Sequence, residues 1–245
     1  MNANALRHLD RTLPTPAENL ACDEALLDER EAGAGAGGLL RFWEAREPFV
    51  VLGYANKAST EADTVVCRAH GVPVLRRCSG GGTVLQAPGC LNYSVILKID
   101  EAGPLASITT TNAFVMERNQ CALATALRQA VAVQGCTDLT LGELKFSGNA
   151  QRRKRDWLLF HGTFLLNFDL ALVGKYLRAP SQQPAYRRGR THREFMTHLP
   201  ITADAIKSAM RAEWNAAAPL VEIPGERIAR LVREKYAHDA WNLKR

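Results

Sequence analysis

Arg76-Arg77-Cys78-Ser79-Gly80-Gly81-Gly82-Thr83-Val84-Leu85-Gln86-Ala87-Pro88-Gly89-Cys90-Leu91-Asn92-Tyr93-Ser94 is the stretch on which the reading of this chain turns. An ordered glycine costs about 0.5–1 kcal/mol relative to alanine in a regular element, so a run of glycines needs a reason. One reading is a tight turn between strands at 72–76 and 83–86. The other is a backbone loop brought close to a ligand, with its N–H groups aimed at anionic oxygens. Arg76 and Arg77 favour the second, because guanidinium forks fit phosphate and carboxylate oxygens. No Gly-Lys-Ser/Thr follows, so this is not a Walker loop, and no helix opens after it as the dinucleotide fingerprint requires. Thr83-Val84-Leu85 instead reads as a strand. The stretch is a strand–glycine loop–strand anion site.

Outward from the loop, helical and extended segments alternate. Thr15 can cap a helix, Pro16 suits its first position and Glu18 completes a capping box, which predicts a helix over 15–31 with Leu20 and Leu27 facing inward. Residues 32–38 alternate alanine and glycine and read as a surface loop. Residues 39–43 and 49–53 look like a strand pair, and 58–70 like a helix leading into the strand at 72–76. Residues 92–97 read as a strand. Met116, Leu123, Leu127 and Val131 recur at helical spacing and predict a long helix over 111–131. Strands resume at 138–141, 144–147 and 158–168, and 203–214 and 222–238 read as closing helices. The pattern predicts an α+β fold built on a mixed or antiparallel sheet packed with helices.

The 245 residues suit one domain, 1–245, with room for a core that needs no disulfides. The six cysteines include no C-x-x-C pair and no zinc spacing, so no metal site is expected. No apolar run approaches the roughly 18 residues of a membrane span, and residues 1–8 lack the apolar stretch of a signal peptide. The expectation is a cytoplasmic protein. A net charge of +6 points to an anionic partner. No nucleic-acid-binding motif is visible, and an acidic protein domain is an equally good match to that charge.

Two blocks carry a family resemblance. The first is Arg76-Arg-x-Ser-Gly-Gly-Gly-x-Val84 with Leu91-Asn-Tyr-Ser94. The second is Lys145-Phe-Ser-Gly-Asn-Ala-Gln-Arg-Arg153 followed by His161-Gly-Thr-Phe-Leu-Leu166. In sequence, order and separation they resemble the lipoate–protein ligase branch of the biotin/lipoate ligase superfamily, over residues 20–242. The resemblance implies that fold and an enzyme that activates lipoate or octanoate with ATP and Mg2+ as an acyl-adenylate. The acyl group then passes to a lysine of an acidic lipoyl domain, in an oxo-acid dehydrogenase acyltransferase subunit or a glycine cleavage H protein.

The resemblance makes Lys145 the catalytic residue, touching the acyl carbonyl and the phosphate, where an ammonium would stabilise developing charge. It assigns Arg77, Ser79, Gly80, Gly81, Gly82, Thr83, Val84, Leu85, Asn149 and Ala150 to the nucleotide. Val74, Val84 and Tyr93 are candidates for the walls of an apolar slot. Burying about six methylenes there would gain on the order of 5 kcal/mol. Basic runs at 152–155 and 186–193 are either solvated loops or docking sites for an acidic partner. His161 reads as a strand-edge residue rather than a base.

The chain departs from the family at Gln86-Ala87, in place of His-Asp, and at Gly135-Cys-Thr-Asp138, in place of Gly-Arg-Asn-Asp. It also shows no sequence for the family's accessory domain, whose part a separate subunit could take. Two alternatives stay open. One is an octanoyltransferase, drawing on acyl carrier protein or another lipoyl domain, with Cys136 as nucleophile. The other is a non-catalytic protein binding an acyl-adenylate or nucleic acid.

Overall fold

The capping box at Thr15 forms: the Thr15 hydroxyl accepts from the Glu18 amide at 3.2 Å, and the Glu18 carboxylate accepts from the Thr15 amide at 2.8 Å. The computed structural model describes residues 5–180 and 182–244. A short strand, β1 (Arg7–Asp10), precedes α1 (Pro16–Glu31). Then come β2 (Leu39–Glu44), β3 (Phe49–Leu52), α2 (Ala58–Glu61), α3 (Thr64–Ala69), β4 (Val74–Arg76), β5 (Val84–Gln86) and β6 (Cys90–Lys98). The long helix α4 (Ile108–Leu127) leads into β7 (Ala132–Gln134), β8 (Asp138–Leu141), β9 (Leu144–Arg153) and β10 (Trp157–Leu165). The chain closes with α5 (Ala171–Tyr176), α6 (His192–Phe195), α7 (Ala203–Glu213), β11 (Ala218–Pro219), α8 (Gly225–Leu231) and α9 (Asp239–Asn242).

The eight strands β11-β1-β2-β6-β10-β9-β8-β7 form one mixed sheet, and β4-β3-β5 form a small second sheet. The expected α+β architecture on a mixed sheet is the one observed. β6 is buried from Cys90 to Leu97, as befits a strand covered on both faces. On one face α4 and α7 pack over Phe42, Tyr93, Phe146 and Phe160. On the other, α1 and the small sheet pack over Trp43, Ile96 and Leu159.

Three expectations change. β2 and β3 are not partners: β2 pairs with β1 and β6, while β3 pairs with β4 and β5. Both strands are almost wholly buried, so neither has the polar face whose alternation would mark its layer. The helix expected over 58–70 breaks at Asp63, whose carboxylate caps α3 through the Val66 amide at 3.0 Å, and Ala62 bridges to Leu177 instead. The helix expected over 222–238 starts only after Pro224, widens into a π turn at Val232–Tyr236 and restarts as α9. Among the described residues no helix is long and apolar enough to cross a membrane.

Candidate active site

Between the large sheet and the small one lies a cavity of about 970 Å³. Lys145, Arg77, Gly81, Gly82, Thr83, Val84, Leu85, Asn149 and Ala150 border it, joining the two sequence blocks; Ser79 and Gly80 do not. Val74 is not on its wall either.

The glycine loop is held from within. Arg77 Nη2 donates to the carbonyls of Gly80 and Gly82, at 2.6 and 2.7 Å, and Nε donates to the Ser79 hydroxyl at 3.0 Å. Arg76, fully buried, sends its guanidinium the other way, onto backbone carbonyls. Of the two arginine forks that the sequence aims at a ligand, Arg77 therefore holds the glycine loop and Arg76 holds the neighbouring loop after β3. Burial pulls the Arg77 guanidinium down to about 10, still charged at neutral pH. Gly81 has φ +83°, and a Cβ there would fall 2.9 Å from Arg77 Nη2. A side chain there would strain the backbone and displace the Arg77 guanidinium from the loop it holds.

Lys145 reaches the cavity by a register shift. Between β8 and β9 the pairing steps from Leu139↔Ser147 to Thr140↔Lys145, leaving Phe146 as an extra residue. Strict alternation would put Lys145 on the α4 side; the bulge puts Phe146 there instead, fully buried, and turns Lys145 to the cavity. Its Nζ lies over Gly148 and pairs with Asp138 Oδ1 at 2.8 Å. Asp138 Oδ2 also accepts from the Tyr186 hydroxyl at 2.7 Å, which ties the segment before α6 to the ammonium. Burial, then Asp138, pushes the Tyr186 hydroxyl up, so it stays a donor.

From Lys145 a row of residues crosses the sheet in register: Asp138, Gly148, Thr163, Asn92 and Trp43. Thr163 Oγ1 donates to Asn92 Oδ1, Asn92 Nδ2 to Gln86 Oε1, and Gln86 Nε2 to Thr163 Oγ1, at 2.6, 3.0 and 2.7 Å. This closed, neutral ring occupies the wall where the departure at Gln86 was read. Apolar lining comes from Leu20, Val51, Val84, Leu85, Leu165 and Val173. Tyr93 borders the cavity, but its hydroxyl faces the opposite core, donating to Asn149 Oδ1 and accepting from Asn119. Among the lining residues, Trp43 Nε1, Asn56 Oδ1 and Thr83 Oγ1 are buried without a protein partner, the condition a bound ligand or water would relieve.

Behind the glycine loop runs a buried string. Ser79 Oγ, which accepts from Arg77 Nε, is hydrogen-bonded to His161 Nε2 at 2.5 Å. The other ring nitrogen, Nδ1, faces Asp23 Oδ2 at 3.6 Å. Asp23 is paired with Arg41, and both are buried. Burial pushes the Asp23 carboxyl up, but Arg41 and His161 outweigh it and hold the carboxyl below the usual range. His161 is not at the expected strand edge but in the middle of β10, paired with β6 and β9, and it borders the cavity with Nε2 engaged by the buried Ser79.

The side chain of Asn149 serves the loop before β8 rather than the cavity: Nδ2 donates to the Thr137 carbonyl at 2.7 Å. Cys136 in that loop is exposed and borders the cavity. Burial pushes the thiols of Cys22 and Cys90 up to about 11 and about 12. The basic runs are partly spent on structure. Arg153 bonds Thr111 and the Leu105 carbonyl, Lys154 pairs with Asp28, and Arg187 and Arg190 lie over the Phe195 ring.

Sequence reasoning missed Asp23, Arg41 and Trp43. Arg41 stands alone between Leu40 and Phe42, a signal that a buried counter-charge is needed, whereas Asp23 lies beside Glu24 and nothing local singles it out as the partner. Among the described residues no group of His, Cys, Asp and Glu could hold a metal ion by itself.

Residues 15–213 match the model of the lipoyl protein ligase A/B catalytic domain. The chain is 28% identical to octanoyltransferase LipM of Geobacillus kaustophilus, covering 98% of both chains. It is 26% identical to lipoate-protein ligase A subunit 1 of Thermoplasma acidophilum, covering 94% of both. In shape it matches the bi-partite lipoate protein ligase of Thermoplasma acidophilum, with a TM-score of 0.83 at 24% identity over 98% of both chains. It also matches a lipoate-protein ligase A bound with ATP, with a TM-score of 0.78 at 23% identity over 98% of both chains.

Proposed function

This chain belongs to the lipoyl protein ligase A/B catalytic-domain family of lipoylation enzymes, and from that premise we propose a ligase acting through an acyl-adenylate. In this reading a carboxylate oxygen of lipoate or octanoate attacks the α-phosphorus of ATP and pyrophosphate leaves. A lysine amine of an acidic lipoyl domain then attacks the acyl carbonyl, and AMP departs with the bonding electron pair. The observation that carries it is the bulge that aims Lys145 into the cavity that Gly81 and Gly82 also border. There its ammonium would leave Asp138 to neutralise charge on the carbonyl oxygen and the phosphate. Gly81 to Leu85, with Ala150 and the backbone of Asn149, would border the nucleotide, and Arg77 and Ser79 would hold the loop in shape.

Magnesium would enter with ATP, held by the phosphate oxygens with at most one carboxylate such as Asp138, the usual arrangement for that ion. Residues 1–245 would act as one catalytic domain. A separate accessory subunit would parallel the bi-partite Thermoplasma ligase.

The deciding experiment incubates the protein with lipoate, Mg-ATP and an acidic lipoyl domain, and weighs the acceptor by mass spectrometry. The expected result is an ATP-dependent gain of one lipoyl group. A second reading is favoured by the exposed thiol of Cys136 on the cavity wall. Its thiolate would take octanoyl from a carrier thioester, releasing the carrier thiol, and pass it to the acceptor amine. Octanoyl transfer from acyl carrier protein without ATP, lost in Cys136→Ser, would establish that reading and overturn the ligase.

A further inference from the structure

Arg76 has no exposed surface, yet its guanidinium is fully engaged, as a buried charge requires. Nη1 donates to the carbonyls of Gly53, Tyr54 and Asn56 at 2.8, 3.0 and 2.7 Å. Nε donates to the Trp241 carbonyl at 3.1 Å and Nη2 to the Lys244 carbonyl at 2.7 Å. One side chain thus ties the loop after β3 to the C-terminal segment. The backbone of Arg76 is joined to the same segment: its amide donates to Asn242 Oδ1 at 3.1 Å, and its carbonyl accepts from Trp241 Nε1 at 2.8 Å. β4 is an edge of the small sheet, so these side chains supply partners that no neighbouring strand provides.

Aromatic contacts repeat the link. The ammoniums of Lys235 and Lys244 lie 3.9 and 3.7 Å from the centroid of the Trp241 ring, and Lys244 also lies 4.2 Å from that of Tyr54. Lys235 is anchored to α1 through Glu24 at 2.6 Å. The loop so gripped bears on the glycine loop. The Tyr54 amide donates to the Ser79 carbonyl at 2.8 Å, and a Cβ on Gly53 would fall 2.0 Å from the Gly81 carbonyl. Ala55, Asn56 and Lys57 border the cavity.

We propose that Trp241–Lys244 is a positioning element of the active site, setting through Arg76 and Tyr54 the place of the 53–57 lip and the glycine loop. No residue of 241–244 borders the cavity, so the segment would act only through those intermediaries. The inference rests on the reading of the cavity as the acyl-substrate site, but its first readout does not depend on that reading.

The test uses the full chain with Trp241→Ala, and with Lys244→Ala as a milder change that leaves the Lys244 carbonyl in place. Hydrogen exchange should speed up by about tenfold or more at residues 53–57 and 79–82 in Trp241→Ala, and by a smaller factor in Lys244→Ala. Exchange in β6 should stay as in the parent. The KM for lipoate should rise by about tenfold with kcat within about twofold, because Lys145 keeps its place and only binding is loosened. Unchanged exchange at 79–82 would overturn the proposal. So would exchange that rises equally in β6, which would make the segment a general stabiliser, or a KM that stays at the parent value. Were the parent chain inactive on lipoate, the ligase reading would fall, and the exchange pattern alone would decide this inference.

Discussion

Lys145 is the residue on which chemistry and fold can be separated most cleanly. Its side chain is about a quarter exposed, 26%, and its partner in the structure is Asp138. The pair is half-buried rather than fully desolvated, so its contribution to stability is modest. In the site the same ammonium would face charge that develops only in the transition state, where losing one such donor costs about 2.7–4 kcal/mol. Lys145→Ala should therefore leave the urea midpoint nearly unchanged while acyl transfer to the lipoyl domain falls by about 10²–10³-fold. Near-parental turnover would remove Lys145 from the chemistry. The lysine was legible in the sequence because it sits in a motif; its partner Asp138, seven positions upstream, was legible only as the last residue of a segment whose middle departs from the family pattern. Arg76 shows the opposite case, since a guanidinium beside a glycine loop reads as a ligand group until the fold places backbone carbonyls around it.

At the scale of the element, β9 matters because it is irregular. Its extra residue, Phe146, sits fully buried against α4 and anchors the shift that faces Lys145 to the cavity. Truncating a phenylalanine in such a place costs about 3–5 kcal/mol, through lost contacts and the void left behind. Phe146→Ala should lower the stability measured by urea titration by that amount. It should also reduce kcat more than the KM for the acyl substrate, because the slot is built mainly by other strands while the aim of Lys145 depends on the bulge. A loss of stability with unchanged kcat would show that register alone, without the ring, holds the lysine. A bulge has no local signature in Leu144-Lys-Phe-Ser-Gly; it follows from matching the apolar positions of β9 to the cores on its two sides.

Across the whole molecule, the Asp23–Arg41 pair joins α1 to the large sheet at the centre of the core and stands behind the glycine loop through His161 and Ser79. The Asp23 carboxyl is held below the usual range, so its contribution is complete above the unfolded carboxylate value of about 3.9 and is lost as pH falls through the lower, folded value. Asp23→Asn leaves Arg41 buried without its counter-charge, which should cost about 3–5 kcal/mol near neutral pH. The deficit should shrink as the pH of the urea titration is lowered through the acid range, where the parent loses its own carboxylate. An equal deficit at every pH would assign the loss to shape rather than charge. The sequence by itself determined the starts of α1 and α7, the two motif blocks and the α+β class, because capping, helical spacing and glycine runs act over a few neighbouring residues. It was the tertiary structure that decided the pairing of β2 and β3, the direction of Lys145, the inward use of both arginines and the meeting of Asp23 with Arg41. Each of these depends on which distant segment supplies a partner, and a buried charge or a strand covered on both faces carries no local mark of where that partner lies.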